Sequence, residues 1–215
     1  MATALSVLRG YLNAELAVTD DTESTPFSAA LRNRAISQGY AALWRAGCWK
    51  PVQQSIASVT HQTVYATTIR RLRVVDVIDS SGYVCDHAPG RIEETSIGTF
   101  ELILKTPIAT GYTLRTNGWT AYVSVFVNDA AVDDLADEYN RIPLLKAKAI
   151  CYRKVAADFM RFGTRQAIPP EMNMTIEQML GVVAAAEREW AQETHDWKSQ
   201  RDRMMQPRDA RQFVT

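Results

Sequence analysis

The stretch from Arg141 to Phe162, RIPLLKAKAICYRKVAADFMRF, constrains this chain more than any other. At helical spacing Leu145, Ala149, Tyr152, Ala156 and Phe159 form one apolar row, and Leu144, Ala147, Cys151, Val155 and Phe162 form a second row beside it. Two adjacent rows make a broad apolar face, so this helix belongs in a core and not in a narrow coiled-coil seam. Pro143 suits the first turn, where its missing N–H is no loss, and Gly163 is placed to end the helix. The remaining face carries Lys146, Lys148, Arg153, Lys154 and Arg161 against one acid, Asp158.

The other elements are read around this helix. Residues 2–16 form a short amphipathic helix with Leu5, Leu8, Leu12 and Leu16 on one side. Thr25-Pro26 reads as a helix start, and that helix runs to about Gly47. It ends in a knot of Tyr40, Trp44 and Trp49, expected in the core or at a domain junction given the area an aromatic buries. From residue 52 to 127 the period changes to two, with β-branched residues dense in 71–78 and 120–127. Asn117-Gly118 between two such runs predicts a type I′ hairpin. Five to eight short, mostly antiparallel strands are expected. A last helix starts at Asn173 or Thr175, with Thr175 and Gln178 in capping-box spacing, and runs to about Met204. The predicted fold is α+β: a helical bundle with long C-terminal helices and an inserted small antiparallel β sheet or barrel. Residues 1–50 and 129–204 would form the helical core, 51–128 the inserted β domain, and 205–215 an extended C-terminal tail.

Composition narrows the function classes. Lys plus Arg, 24, equals Asp plus Glu, 24, within 215 residues. That balance argues against a dedicated nucleic-acid binder, whose affinity comes from excess basic charge. Cys48, Cys85 and Cys151 are odd in number and scattered, so neither a disulfide framework nor a zinc knuckle is indicated. They are expected to be reduced, mostly buried thiols of a protein made in the cytoplasm. No signal-peptide pattern and no apolar run of spanning length is present, so no membrane partner is expected.

The backbone requirements of nucleotide cradles and hydrolase nucleophiles are missing: there is no P-loop, no G-x-G-x-x-G turn and no G-x-S-x-G elbow. His61, His87 and His195 lie in different elements, without metal-ligand spacing. Asp86-His87 reads as turn chemistry. Asp133, Asp134, Asp137 and Glu138 could serve acid–base or Mg²⁺ chemistry, but acids near a helix N-terminus also simply complement its dipole. Asn173-Met174-Thr175 matches a glycosylation acceptor, but without secretion it is only a helix cap. No catalytic residue, cofactor or metal is expected.

The order of elements resembles the head-to-tail adaptor proteins of tailed bacteriophages, in particular the tail tubular protein A (gatekeeper) type. The likeness is carried by Trp44-Arg45-Ala46-Gly47-Cys48-Trp49 closing a helix, by Ile142-Pro143 followed by Lys148-Ala149-Ile150-Cys151-Tyr152, by Phe162-Gly163, and by the Ala-rich helix from Ala184 with Glu187-Arg188. It spans most of the chain in layout. The resemblance implies a structural virion protein without catalysis or cofactor. Copies, usually a dodecamer, would sit beneath the portal protein and join the DNA-filled head to the tail tube or nozzle. Viral DNA would pass the lumen without sequence recognition. Its place would be the virion neck or tail. The alternatives are another ring component, such as a tail-completion or stopper protein, or a cytosolic enzyme built on the β region.

Three sets of residues are candidate contacts. Trp190, Trp197 and Met204 form a thin apolar seam on an otherwise charged helix, a pattern that marks an interface when it is exposed. In the tail, Arg208, Arg211 and Phe213 combine charge with an apolar tip suited to folding on contact, with the portal as the partner the resemblance implies. Arg153, Lys154 and Arg161 could meet Asp133, Asp134, Asp137 and Glu138 of an adjacent copy, although charged helix faces are more often solvated or paired within one chain.

Overall fold

Among the described residues four helices and seven strands follow in the order α1 (Leu5–Glu15), α2 (Ala29–Ala46), β1 (Lys50–Ala57), β2 (Val64–Thr67), β3 (Arg71–Ile78), β4 (Val84–His87), β5 (Gly90–Ser96), β6 (Thr99–Leu104), β7 (Thr113–Thr120), α3 (Arg141–Phe162) and α4 (Ile176–Met205), with a 3-10 turn at Asp137–Tyr139 before α3. The structure, a computed structural model, describes residues 3–18, 26–126, 128–162 and 174–205. It divides into two compact units, Met1–Cys48 with Tyr122–Thr215, and Trp49–Ala121.

In the helical unit most of the two apolar rows of α3 is buried: Leu144, Leu145, Ala147, Ala149, Cys151, Tyr152, Val155 and Ala156 are all inside and Phe159 is half-buried, while the side chain of Phe162 lies outside the described residues. Leu5, Leu8, Leu12 and Leu16 of the first helix and Ala35, Ile36, Tyr40 and Leu43 of α2 share that core. α2 and α3 approach so closely that a Cβ on Gly39 would lie 2.2 Å from the Pro143 carbonyl oxygen. The N-cap of α2 is Ser28, whose hydroxyl accepts from Leu31 N–H at 3.3 Å, three residues later than the Thr25 start read from the sequence. Thr25 itself lies outside the described residues. α4 opens on the expected reciprocal cap: Thr175 N–H donates to Gln178 Oε1 at 2.7 Å, and Gln178 N–H donates to Thr175 Oγ1 at 3.2 Å.

The expected helical bundle with a small inserted sheet is corrected here. The chain is α+β with two antiparallel sheets, ordered β1-β7-β3-β4 and β2-β6-β5. The physical reason is that the β half has its own core. Val75, Val77 and Leu114 of the first sheet face Tyr65, Leu102 and Leu104 of the second, so each sheet buries one face against the other. Gln54 on β1 adds a polar tie, its Oε1 accepting from Thr67 Oγ1 at 2.8 Å and from Thr68 N–H at 3.2 Å.

Asn117-Gly118 is not a hairpin turn either. Both residues sit inside β7, between β1 and β3. A Cβ at Gly118 would lie 2.3 Å from the Arg71 carbonyl oxygen and 2.6 Å from Ile69 Cγ2, so the glycine is there to admit β3 and not to turn the chain. A β-bulge between Leu72 and Val74 lies directly opposite. The strand expected over 120–127 also ends early: β7 stops at Thr120, residues 121–126 belong to no strand, and Val127 lies outside the described residues.

These close approaches give a test with an internal control. Gly39→Ala and Gly118→Ala should each destabilise the fold by about 1–3 kcal/mol through backbone overlap. Gly10→Ala, where nothing lies within 4 Å of the added methyl, should be neutral or stabilise α1 by up to about 1 kcal/mol. Urea midpoints of the three variants read the contrast directly.

Candidate functional site

Of the acids nominated by the sequence, Asp133 is buried in the helical unit, Asp134 is half-buried, and Asp137 and Glu138 are exposed. Thr3 N–H donates to Asp133 Oδ1 at 2.7 Å, and the Tyr40 hydroxyl donates to Asp133 Oδ2 at 2.5 Å. Asn140 joins them, its Oδ1 2.9 Å from the Tyr40 hydroxyl and its Nδ2 donating to Thr3 Oγ1 at 2.9 Å. The Thr3 hydroxyl donates to Asp137 Oδ1 at 2.5 Å, and Asp134 Oδ1 accepts from Val123 N–H at 2.8 Å. Burial pushes the Asp133 carboxyl up, against the Thr3 and Tyr40 hydrogen bonds that pull it down. The Tyr40 phenol is driven far above its ordinary range, by burial first and then by the Asp133 carboxylate. Asp137 is held below the usual carboxylate range, the Thr3 hydrogen bond being the first cause. This network clamps the N-terminal segment onto the approach to α3, an arrangement extended by the Ala4–Val132 bridge and by Arg9 on Asp129 at 2.9 Å. Glu138 is exposed and hydrogen-bonds the Tyr139 hydroxyl.

The basic face of α3 is largely answered within the chain. Lys146 and Arg153 both reach Glu187, at 3.0 and 2.8 Å, Lys148 pairs with Glu15 at 2.8 Å, and Lys154 with Asp158 at 2.5 Å. Arg161 is exposed near the end of the helix and also has an interaction partner. Arg141, at the start of α3, is held by Glu189 and by Glu193 of α4. The pairing of Arg153, Lys154 and Arg161 with the acids of residues 133–138 is therefore not what these side chains do within one chain.

The aromatic seam has a similar fate. Trp197 stacks on Tyr139 with centroids 4.9 Å apart and planes at 11°, and tilts against Tyr122 at 5.7 Å. Trp190 is half-buried against the helical core, with the Lys146 ammonium 4.7 Å from its ring centroid. The seam expected to be exposed closes the chain's own core. The side chain of Met204 and the residues Arg208, Arg211 and Phe213 lie outside the described residues. The knot of Tyr40, Trp44 and Trp49 is divided: Tyr40 is edge-on to Phe126 in the helical unit, and Trp49 meets Trp119 and the Arg71 guanidinium in the β unit.

One further polar cluster was illegible in the sequence, because its members are up to 41 residues apart. Asp76, 7% exposed, accepts from Arg115 Nε and Asn117 Nδ2 at 3.1 Å each, and His87 Nδ1 is 2.9 Å from its other oxygen. The His87 ring is 68% exposed on the open face of the edge strand β4. Asp86-His87 is thus strand and not turn. Cys85 beside it is exposed, whereas Cys48 and Cys151 are buried, and burial pushes the Cys151 thiol up to about 12. A separate groove of about 370 Å³ in the helical unit is floored by Ala14, Leu144 and Leu145 and rimmed by Glu15, Asp137 and Arg141. No cluster of metal-ligating side chains occurs among the described residues, nor a helix long and apolar enough to cross a membrane.

Two charged surfaces are only partly answered in their own unit. On α2, Ala30, Arg34, Gln38, Ala41 and Arg45 form an exposed ridge, and no hydrogen bond or ion pair engages either arginine among the described residues. On the outer face of the three-stranded sheet, Glu93 sits directly across from Glu101. The chain matches no family model and no curated protein. Its function has to be argued from these surfaces and from the layout.

Two outcomes follow for the helical unit. Trp197→Ala should lower stability by roughly 2 kcal/mol or more as an intramolecular core loss, seen as an earlier urea midpoint of the isolated chain. Glu187 is held below the usual carboxylate range, first by the Lys146 hydrogen bond and then by Arg153. A lowered folded-state value means that its stabilising effect is present above the unfolded carboxylate range and is lost as pH falls through its own titration. Glu187→Gln should therefore cost about 0.5 kcal/mol at neutral pH after solvent screening, and the difference from wild type should close as pH falls below 4 in thermal melts taken across that range.

Proposed function

We propose that this chain is a structural ring subunit of the head-to-tail adaptor type, seated beneath the portal of a tailed bacteriophage and joining the DNA-filled head to the tail. The observation that carries this reading is the interrupted helical unit. Helix α2 closes at Trp44-Arg45-Ala46-Gly47, a β unit is inserted over 49–121, and the chain returns through Ile142-Pro143 into α3 and the 30-residue α4. That is the element order of the resemblance. α4 is also charged along most of its length, and about 45 Å long at the helical rise. Such a rod, with a sandwich carried on a separate unit, suits a subunit that spans between two partners.

The contrasting reading, an enzyme built on the β unit, takes its support from His87 beside the Asp76 carboxylate. That pair lies on an open strand face of the β unit, and the groove is lined by residues of the helical unit. A stopper or tail-completion component would share the architecture and differ in which neighbour it binds.

Native mass spectrometry of the purified chain with portal, and separately with tail-tube protein, decides among these. A complex with portal carrying one copy of this chain per portal subunit, or another fixed ratio, is the expected result. Binding to tail tube and never to portal would move the protein to the stopper class. Binding to neither would remove the ring reading.

A further inference from the structure

We propose that the outer face of the three-stranded sheet of one copy docks on the α2 ridge of the next copy, setting Glu93 and Glu101 against Arg34 and Arg45. The proposal rests on the ring reading above and names the surfaces through which the ring would close.

The ridge is basic for a compositional reason. α2, AALRNRAISQGYAALWRA, contains three arginines and no acid. Arg32 is buried, but Arg34 and Arg45 are exposed and separated by eleven residues, about 16 Å along the helix. Between them on the same exposed ridge lie Gln38 and Ala41. No i,i+4 acid is available on this helix to neutralise either arginine. On α3, by contrast, Lys146, Lys148, Arg153 and Lys154 already have carboxylate partners.

The sheet face is acidic in a way that disfavours the isolated chain. Glu93 on β5 and Glu101 on β6 are register partners, so their carboxylates share one face. Like charges directly across a strand pair are destabilising. Arg91 answers Glu93 at 2.6 Å, but no ion pair or hydrogen bond engages the Glu101 carboxylate among the described residues. Beside the acids the same face presents Ala66, the register partner of Glu101, and the pair Val64 and Ile103. Val64 is 40% exposed. An apolar strip next to an unanswered acid calls for a cationic partner with small apolar residues between its charges. The α2 ridge supplies that charge, with Ala41 between its two arginines.

A nucleic-acid backbone is the rival occupant of the ridge. Two arginines would neutralise about two phosphates, which gives weak, strongly salt-dependent binding. It would also leave the acidic face unexplained, whereas a second copy accounts for both surfaces at once. Because the ridge and the face are different surfaces, the contact is heterologous and propagates into a closed ring or an open filament.

The test uses the full chain and two charge-reversed variants, Arg34→Glu with Arg45→Glu, and Glu93→Lys with Glu101→Lys, followed by sedimentation velocity at low salt with and without portal. Wild type should form multimers, each variant alone should self-associate about tenfold more weakly or worse, and an equimolar mixture of the two should regain multimers. Regain requires both variants to be folded, because the reversed face then meets the reversed ridge. Variants that assemble like wild type would overturn the surface assignment and leave the ring reading standing. A wild-type chain that stays monomeric in both conditions would overturn the assignment together with the ring reading. Normal assembly of the arginine variant combined with lost retention on duplex DNA would give the ridge to nucleic acid and also overturn the proposal.

Discussion

The helical unit depends on one close approach between backbones. The Pro143 carbonyl oxygen occupies the space a side chain at position 39 would need, 2.2 Å from where a Cβ would stand. Glycine in a helix interior costs about 1 kcal/mol relative to alanine, and here that cost is offset by contact between α2 and α3. The approach seats Tyr40, the next residue of α2, so that its hydroxyl reaches Asp133 and Asn140. Through them it reaches Thr3 and the N-terminal segment. A proline at the third position of α3 loses no intrahelical bond, because the first-turn N–H groups have none to lose. Two residues that would weaken most helices thus fix the geometry of this one.

Charge is divided between two roles. In the α3–α4 layer, Glu187 collects Lys146 and Arg153, and Arg141 collects Glu189 and Glu193, in partly exposed pairs. Each is worth little alone, but together they fix which faces of two long helices meet. Asp133 has the opposite sign of effect. Its raised folded-state value means that the charged form costs stability above its own titration, and the cost disappears as pH falls through that value. Tyr40 and Thr3 donate to it and limit the cost without removing it. A carboxylate retained under those terms fixes the position of the N-terminal segment more than it adds to stability.

Local patterns made the helices legible and left the pairings hidden. The two apolar rows of α3, the leucine row of α1 and the Thr175–Gln178 box are determined within a few residues, and each reappears as read. Asn117-Gly118 misled because the same dipeptide serves a tight turn or a close strand approach, and only the position of Arg71 distinguishes them. The second sheet went unseen for a related reason: alternation identifies a strand but not the sheet it joins. The Trp190–Trp197 row looked exposed because its flanking positions are polar, yet Tyr122 and Tyr139, far off in sequence, cover Trp197. Asp76 with His87, Arg115 and Asn117 had no sequence signal at all. The acid-free composition of α2 was a readable signal for the ridge, visible once α3 is known to be internally paired.

The sandwich has four sheet edges, and each resists strand addition in its own way. β1 carries Pro51, β2 and β4 have only four residues each, β4 is joined to β3 through a register shift, and β5 presents Arg91, Glu93 and Glu94. Proline, shortness, irregularity and charge are the usual protections against edge-to-edge pairing. Any contact between copies would thereby be directed away from backbone pairing and onto side-chain faces. A two-fold dimer through α2 would set Arg34 and Arg45 against themselves, and one through the outer sheet face would set Glu93 and Glu101 against themselves. The first brings like charges together, while the second also brings up Arg91, which already answers Glu93. The ridge-to-face contact proposed above sets opposite charges together, and it would leave a free ridge at one end and a free face at the other unless it closed into a ring.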